Sequence, residues 1–265
     1  MLIGFGQPAG IVPSVSGAAG INLAALIDGA PASVARISGG AGTASLRLDW
    51  ATATKIRVVA ALGLTCPAGT ILTLTGKRAG DAGYAHALGG NAASQAAVQL
   101  VDGSRAAWFV LPADTAPLVG LQLQVATGGF DVGELVAMQA VELNAEPSWT
   151  VERVDPSESA RTLGGGLNTV QRRSYRRLKV ALTPSHLTEV WGAGLAGGLD
   201  WDGLVMHSAG DRRVAALVRW GQEGAINVAE LHRQALYGRG MAGAIGHLGG
   251  NHFEQGWTFE EVPPV

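Results

Sequence analysis

Cysteine is almost absent from this chain. The single Cys66 excludes an internal disulfide framework and any cysteine-based zinc site. It stands in an apolar run and reads as a small buried hydrophobe. Charge is scarce too: Asp, Glu, Lys and Arg make up 15% of the residues and cancel to a net −2, so no general attraction to nucleic acid is expected. No apolar run is long enough to span a bilayer. The most apolar stretch, Val58 to Leu74, is broken by Gly63, Pro67 and Gly69. The opening residues MLIGFGQPAG place no Lys or Arg before their apolar positions, so no secretory signal is read and cytoplasmic synthesis and retention are expected.

Hydrophobic residues are plentiful, at 47% of a chain of 265, which predicts a folded protein with a real core. A surface poor in charge and rich in Ala, Gly, Thr and Gln suits a subunit covered by neighbours. The same composition also follows from a genome rich in G and C. The periodicity is β. Leu46, Leu48 and Trp50 alternate with Arg47 and Asp49, and Leu121, Leu123 and Val125 alternate with Gln122 and Gln124. Strands are also predicted around Ile71–Leu74, Ala107–Leu111 and Gly133–Leu143. Turn chemistry separates them at Gly39-Gly40, Pro67-Ala68-Gly69, Gly89-Gly90-Asn91, Asp102-Gly103 and Gly128-Gly129. This pattern predicts an all-β fold: a jelly-roll sandwich plus a second β-sandwich or tube-like domain with one or two short helices. One helix starts at Thr183-Pro184, with Leu187, Val190 and Trp191 on one face and Gly192 at its end. A second covers Val228 to Leu236.

A domain boundary is read near Asn144 to Ser148. The expected division is an N-terminal arm over 1–14, a jelly roll over 15–145 and a β-rich assembly domain over 146–265. Up to Asn144 there are seven basic and eight acidic residues, against twelve and thirteen after it, so the second part carries nearly twice the charge.

Two sets of residues resemble known families. Asn22-Leu23, Leu26-Ile27-Asp28-Gly29-Ala30-Pro31, the strand Leu46 to Trp50 and Ile56 to Gly63 resemble a galactose-binding-like (discoidin-like) jelly roll of phage tail proteins. Trp149, Asp155-Pro156-Ser157, Arg161, Gly164-Gly165, Tyr175-Arg176-Arg177-Leu178, Leu187-Thr188-Glu189, Gly210-Asp211, Gly249 to Phe253 and Thr258 to Val262 follow the order seen in distal-tail-like and minor-tail-like structural proteins of long-tailed bacteriophages. The resemblance implies a ring-forming adaptor of the tail tip or baseplate, between tail tube and receptor-binding parts. Its implied partners are copies of itself and the tube, tape-measure and tail-tip proteins. DNA would meet it only by passing through a lumen, and its place would be the virion tail. No enzyme activity, cofactor or metal is expected. The alternative is a carbohydrate-binding module attaching to host surface glycan, with Arg36, Tyr84 and His86 as contacts.

The basic run Arg172, Arg173, Arg176, Arg177 and Lys179 has no acid within it. Read as one strand, it carries arginine on both faces. It is a candidate interface, pairing with Asp155, Glu158 or Glu152 of a neighbouring copy. A positively charged lumen and a solvated strand are the other readings. Trp149, Asp155, Arg161, Tyr175 and Trp257 complete the candidate inter-subunit residues, the tryptophans as possible anchors. Three apparent chemical motifs are set aside. Gly192 to Gly197 has dinucleotide-loop spacing but follows a helix rather than a strand. His247 and His252 lack further metal ligands. Asp200 and Asp202 around Trp201 match a glycosidase pair only loosely and read better as a turn cap.

Overall fold

The computed structural model describes residues 1–39, 42–88, 93–161, 163–192, 195, 199–209, 212–222 and 225–263. Gly40, the Gly89-Gly90-Asn91 turn, Gly210-Asp211 and, in the Gly192–Gly197 segment, Ala193, Gly194, Ala196 and Gly197 lie outside them. The fold is an all-β sandwich of large curled antiparallel sheets. Three short α-helices and one 3-10 turn are added among the described residues. The chain divides into two compact units. One comprises Met1–Leu143 with Arg213–Ala235; the other comprises Asn144–Arg212 with Leu236–Pro263.

In the first unit two layers of strands face each other. One layer runs in the order Val12–Ser16, Ala44–Thr54, Leu118–Val125, Ile71–Lys77, His86–Ala87, and Ser94–Ala96 also pairs with Ile71–Lys77. Pro13 sits on its edge strand, where a missing N–H costs no ladder bond. The other layer runs Val98–Gln99, Arg105–Val110, Val58–Leu62, Glu134–Glu142, Leu2–Phe5, Val214–Leu217, each pair antiparallel. Alternation sets which residues meet. Leu46, Leu48, Leu72, Leu74, Leu121 and Leu123 point inward from the first layer, while Val59, Ala61, Ala107, Phe109, Leu135 and Ala137 do so from the second. The first layer turns Ser45, Arg47, Asp49 and Gln124 outward, so its outer face is polar. The second layer is apolar on both faces: Val58–Leu62 is buried at every position. Part of its cover is the helix Val228–Gln234, which contacts Arg105–Val110.

The second unit is built on four antiparallel strands in the order Leu236–Ala242, Gly256–Glu261, Tyr175–Ala181, Thr150–Val154. Its buried residues include Leu178, Val180, Trp201, Leu204, Tyr237, Trp257 and Phe259. Gly238 passes so close to its neighbour that an added Cβ would sit 1.8 Å from the Glu260 carbonyl oxygen. Ser185–His186, His252–Glu254 and Gly246–Gly249 form a small separate sheet.

Several expectations are corrected. Residues 1–14 are not an arm. Leu2–Phe5 is buried along its whole length and pairs with strands on both sides, because LIGF is apolar at consecutive positions. Residues 146–265 are not one continuous domain, since Arg213–Ala235 packs with the first unit. The helix expected from Thr183 begins at Leu187. Ser185–His186 pairs as a strand, and His186 caps the helix by accepting from the Thr188 N–H. The basic run is not one strand either: the ladder starts at Tyr175 and leaves Arg172 and Arg173 outside it.

Candidate assembly surface

The strands Thr150–Val154 and Tyr175–Ala181 run on past their sheet as a two-stranded ribbon. Thr150 pairs with Lys179 and Val154 with Tyr175. A turn follows in which the Ser157 N–H donates to Asp155 Oδ1 at 2.9 Å. The Ser157 hydroxyl and its N–H hold the Asp155 carboxyl below its ordinary range, hydroxyl first. Ser157 also clasps the opposite strand, because its Oγ accepts from the Arg172 N–H at 2.9 Å. Pairing then resumes, with Glu158–Arg161 against Leu167–Val170. These eight residues are all exposed, and among the described residues the two strands pair only with each other. Leu167 and Val170 are 69% and 53% exposed, and Leu163 at the tip is fully exposed. Among the described residues these apolar side chains of the ribbon stand open to solvent.

At the base of the ribbon the arginines are already paired. Register explains how: Glu152 faces Arg177, Arg177 faces Glu260, and Glu260 faces Arg239, giving a row of alternating sign across four strands. The Arg177 guanidinium lies 2.7 Å from Glu260 and 3.1 Å from Glu152, and Lys179 lies 3.2 Å from Glu152. Lys179 first, and then Arg177, hold the Glu152 carboxyl below the usual range. On the other face Arg176 engages Glu261 through its backbone N–H and its guanidinium, with side chains only 13% and 7% exposed. The expectation that these arginines seek acids of a neighbouring copy is therefore corrected for Arg176 and Arg177, whose partners are Glu152, Glu260 and Glu261 of their own sheet. Sequence reasoning placed Glu152 on a neighbouring copy and missed Glu260 and Glu261, because these two reach the arginines from a strand more than eighty residues away. Arg172 stands 3.4 Å from Glu158, both exposed. Arg161 and Arg173 are exposed.

Trp257 is corrected as an interface anchor. It is buried, stacks on Phe259 with ring centroids 5.6 Å apart, and donates to Gln255. Trp149 is half-buried and Tyr175 lies against Arg177.

The three proposed glycan contacts separate. Arg36 forms an ion pair with Asp131 on the small sheet of the first unit, at 2.9 Å. Tyr84 and His86 belong to the outer polar face of the other layer. The Tyr84 hydroxyl donates to Asp49, and the ring is flanked by Arg47 and Lys77 at 5.0 and 5.5 Å from its centre. Gly120 makes the seat for that ring, since a Cβ there would approach it to 3.1 Å. Burial first, and then Asp49, push the phenol above its ordinary range. His86 meets Arg78 at 2.8 Å. With two cations beside it and the sheet beneath it, the ring offers little open face for stacking on a sugar.

Other residues singled out in the sequence make local contacts. Asp200 caps the helix Trp201–Ser208 by accepting from the Gly203 N–H at 2.7 Å, and Asp202 lies in its first turn. His252 is engaged by the Gly250 carbonyl. Among the described residues no group of three or more metal-ligating side chains occurs, and no helix is long and apolar enough to cross a membrane. Comparison with protein-family models, curated proteins and solved structures finds no match to this chain.

Proposed function

We propose that this protein is a non-catalytic structural subunit that assembles with copies of itself, in the tail tip or baseplate of a long-tailed bacteriophage. The ring-forming adaptor role, the tail-protein partners and the place in the virion come from the resemblance of residues 149–262 to distal-tail-like proteins. The observation that carries the assembly reading is the ribbon of Glu158–Arg161 and Leu167–Val170, with Leu167 and Val170 exposed on its strands and Leu163 exposed at its tip, among described residues that pair with no other strand. A second surface laid on the ribbon would bury these three side chains. The salt-bridged sheet below holds its base in place, which lowers the ordering cost of docking.

The glycan-binding alternative has weaker support, because Arg36 is apart from Tyr84 and His86 and the Tyr84 ring is flanked by cations. The test is the mass of the purified protein by light scattering, followed by electron microscopy of extracted tails. A closed assembly of several copies, located at the tail end, supports the proposal. A monomer absent from particles refutes it.

A further inference from the structure

We propose that two copies of this chain join through the outer edge of strand Thr150–Val154, laid antiparallel on the same strand of the second copy about a two-fold axis through Val151. The inference rests on the reading that the chain assembles with itself, and it names the contact. Thr150–Val154 is the last strand of its sheet. Tyr175–Ala181 pairs it on one side and, among the described residues, no strand pairs it on the other. Thr150, Val151, Glu152 and Arg153 are all exposed, so the edge is open along most of its length. An open edge offers its backbone N–H and C=O groups to another strand.

The pleat restricts the register. When a strand pairs antiparallel with itself about a two-fold axis normal to the sheet, both copies keep the same face up. The axis then passes through a residue, and facing residues are an even number apart in sequence. The five residues of the strand are the five possible centres. An axis at Glu152 sets glutamate on glutamate, and one at Arg153 sets arginine on arginine. An axis at Val154 runs the ladder into Pro156 and the Asp155–Ser157 turn, and one at Thr150 runs it into Pro147. Neither proline has an N–H to give. An axis at Val151 avoids both faults. Val151 then meets Val151 of the second copy. On either side Thr150 meets Glu152 of the other copy, and its hydroxyl donates to that carboxylate. Continued by one residue, the ladder sets Trp149 opposite Arg153, a cation beside an aromatic ring.

Each face of the contact extends what the sheet already has. On one face Val151 stands beside Leu178 and Leu178 beside Phe259, the latter two buried. Val151 itself is 40% exposed, and a second Val151 covers it and lengthens the apolar row. On the other face Arg239, Glu260, Arg177 and Glu152 alternate in sign. The next positions in that row are Thr150 and then Lys179 of the second copy, which face each other in their own register. Lys179 is 54% exposed, so the acid of one copy arrives on the side of the open cation of the other and the alternation continues.

The test is cysteine cross-linking of the full chain, with sedimentation velocity over a concentration series. Facing Cα atoms of an antiparallel pair are about 4.5–5.5 Å apart, within disulfide reach, so Val151→Cys is expected to give a covalent dimer on mild oxidation. Thr150→Cys is expected to give little, because the two copies of that position are offset along the strands and lie about 8 Å apart. Cys66 is buried and common to both variants. Val151→Lys sets two like charges on the axis and should weaken self-association about tenfold or more. Position 151 is an exposed edge site, so the dilute variant should keep the thermal midpoint of the wild type. Equal linking at positions 150 and 151, or no linking at 151 in a chain that self-associates, would overturn this contact while leaving the assembly reading intact. A wild-type chain that stays monomeric at the highest concentration would overturn both.

Discussion

His232 offers the sharpest test of the first unit. The strand Arg105–Val110 is covered on its outer edge by Val98–Gln99 only as far as Ala106. Beyond that point the backbone N–H of Trp108 would be left without a strand partner, and His232 Nε2 accepts it at 3.0 Å. The other ring nitrogen donates to the Val228 carbonyl at 2.9 Å, which fixes the neutral tautomer with its proton on Nδ1. The ring is 1% exposed and sits on the helix Val228–Gln234, whose N-cap Asn227 accepts from the Glu230 N–H. Burial first pulls the imidazole below its ordinary value of 6.5, against a smaller opposing effect of the Val228 carbonyl. The folded state therefore binds the proton less readily than the unfolded chain. The stability from the neutral ring is fully present above pH 6.5 and is lost as pH falls from there toward the depressed folded value. At about 1.4 kcal/mol per pH unit, the loss between pH 6.5 and 5 is at most about 2 kcal/mol. The assay is urea unfolding at pH 8, 6.5 and 5 for the wild type and for His232→Gln. The variant is expected to be less stable at pH 8 by roughly 1–3 kcal/mol, from the orphaned Trp108 N–H and imperfect filling of the site. It should also lose the histidine's share of the pH slope, so that the two proteins converge as pH falls. Parallel curves for the two proteins from pH 8 to 5 would refute the neutral, N–H-accepting role.

Three further outcomes follow from the geometry. Glu261→Gln strands a mostly buried Arg176 and should cost about 2–4 kcal/mol in urea unfolding, with Arg176→Met/Glu261→Met recovering much of it, since both buried charges are then gone. Gly238→Ala places a methyl where the Glu260 carbonyl already stands, so either the Leu236–Ala242 strand shifts or the second unit fails to fold; a thermal loss of roughly 3 kcal/mol or more is expected, and an unchanged midpoint would contradict the packing. Tyr84 is held protonated beside Asp49, so the ultraviolet phenolate titration at pH 11 should be the same in Tyr84→Phe as in the wild type; a lost fraction of the signal would show the phenol to be free.

The strands of the first unit were legible because their period is set by one-sided burial. Leu46, Leu48 and Trp50 alternate with polar neighbours, and in the structure they are the inward set of a half-solvated layer. Val228–Gln234 was legible as a helix for the same reason, and the Asp200 cap followed from its own side chain. Leu2–Phe5 was not legible. Four consecutive buried residues carry no period, and only the presence of strands on both sides shows that LIGF is central rather than an arm. The site divides in the same way. The segment Trp149 to Trp191 stood out in the sequence, and it does contain the ribbon. Which of its charges are free was not there to read, because Glu260 and Glu261 reach Arg177 and Arg176 from more than eighty residues away.

The sequence by itself determined the β class, the inward faces of the alternating strands and the lone buried cysteine, since burial on one side of a strand leaves its period in the local run of residues. Tertiary structure alone decided that Arg213–Ala235 belongs with the first unit, that Trp257 is core, that Arg176 and Arg177 are paired, and that Glu158–Arg161 pairs, among the described residues, with Leu167–Val170 alone. Those are matters of which distant strands lie side by side, and strand pairing is fixed by burial and register across the whole sheet rather than by any local run of residues.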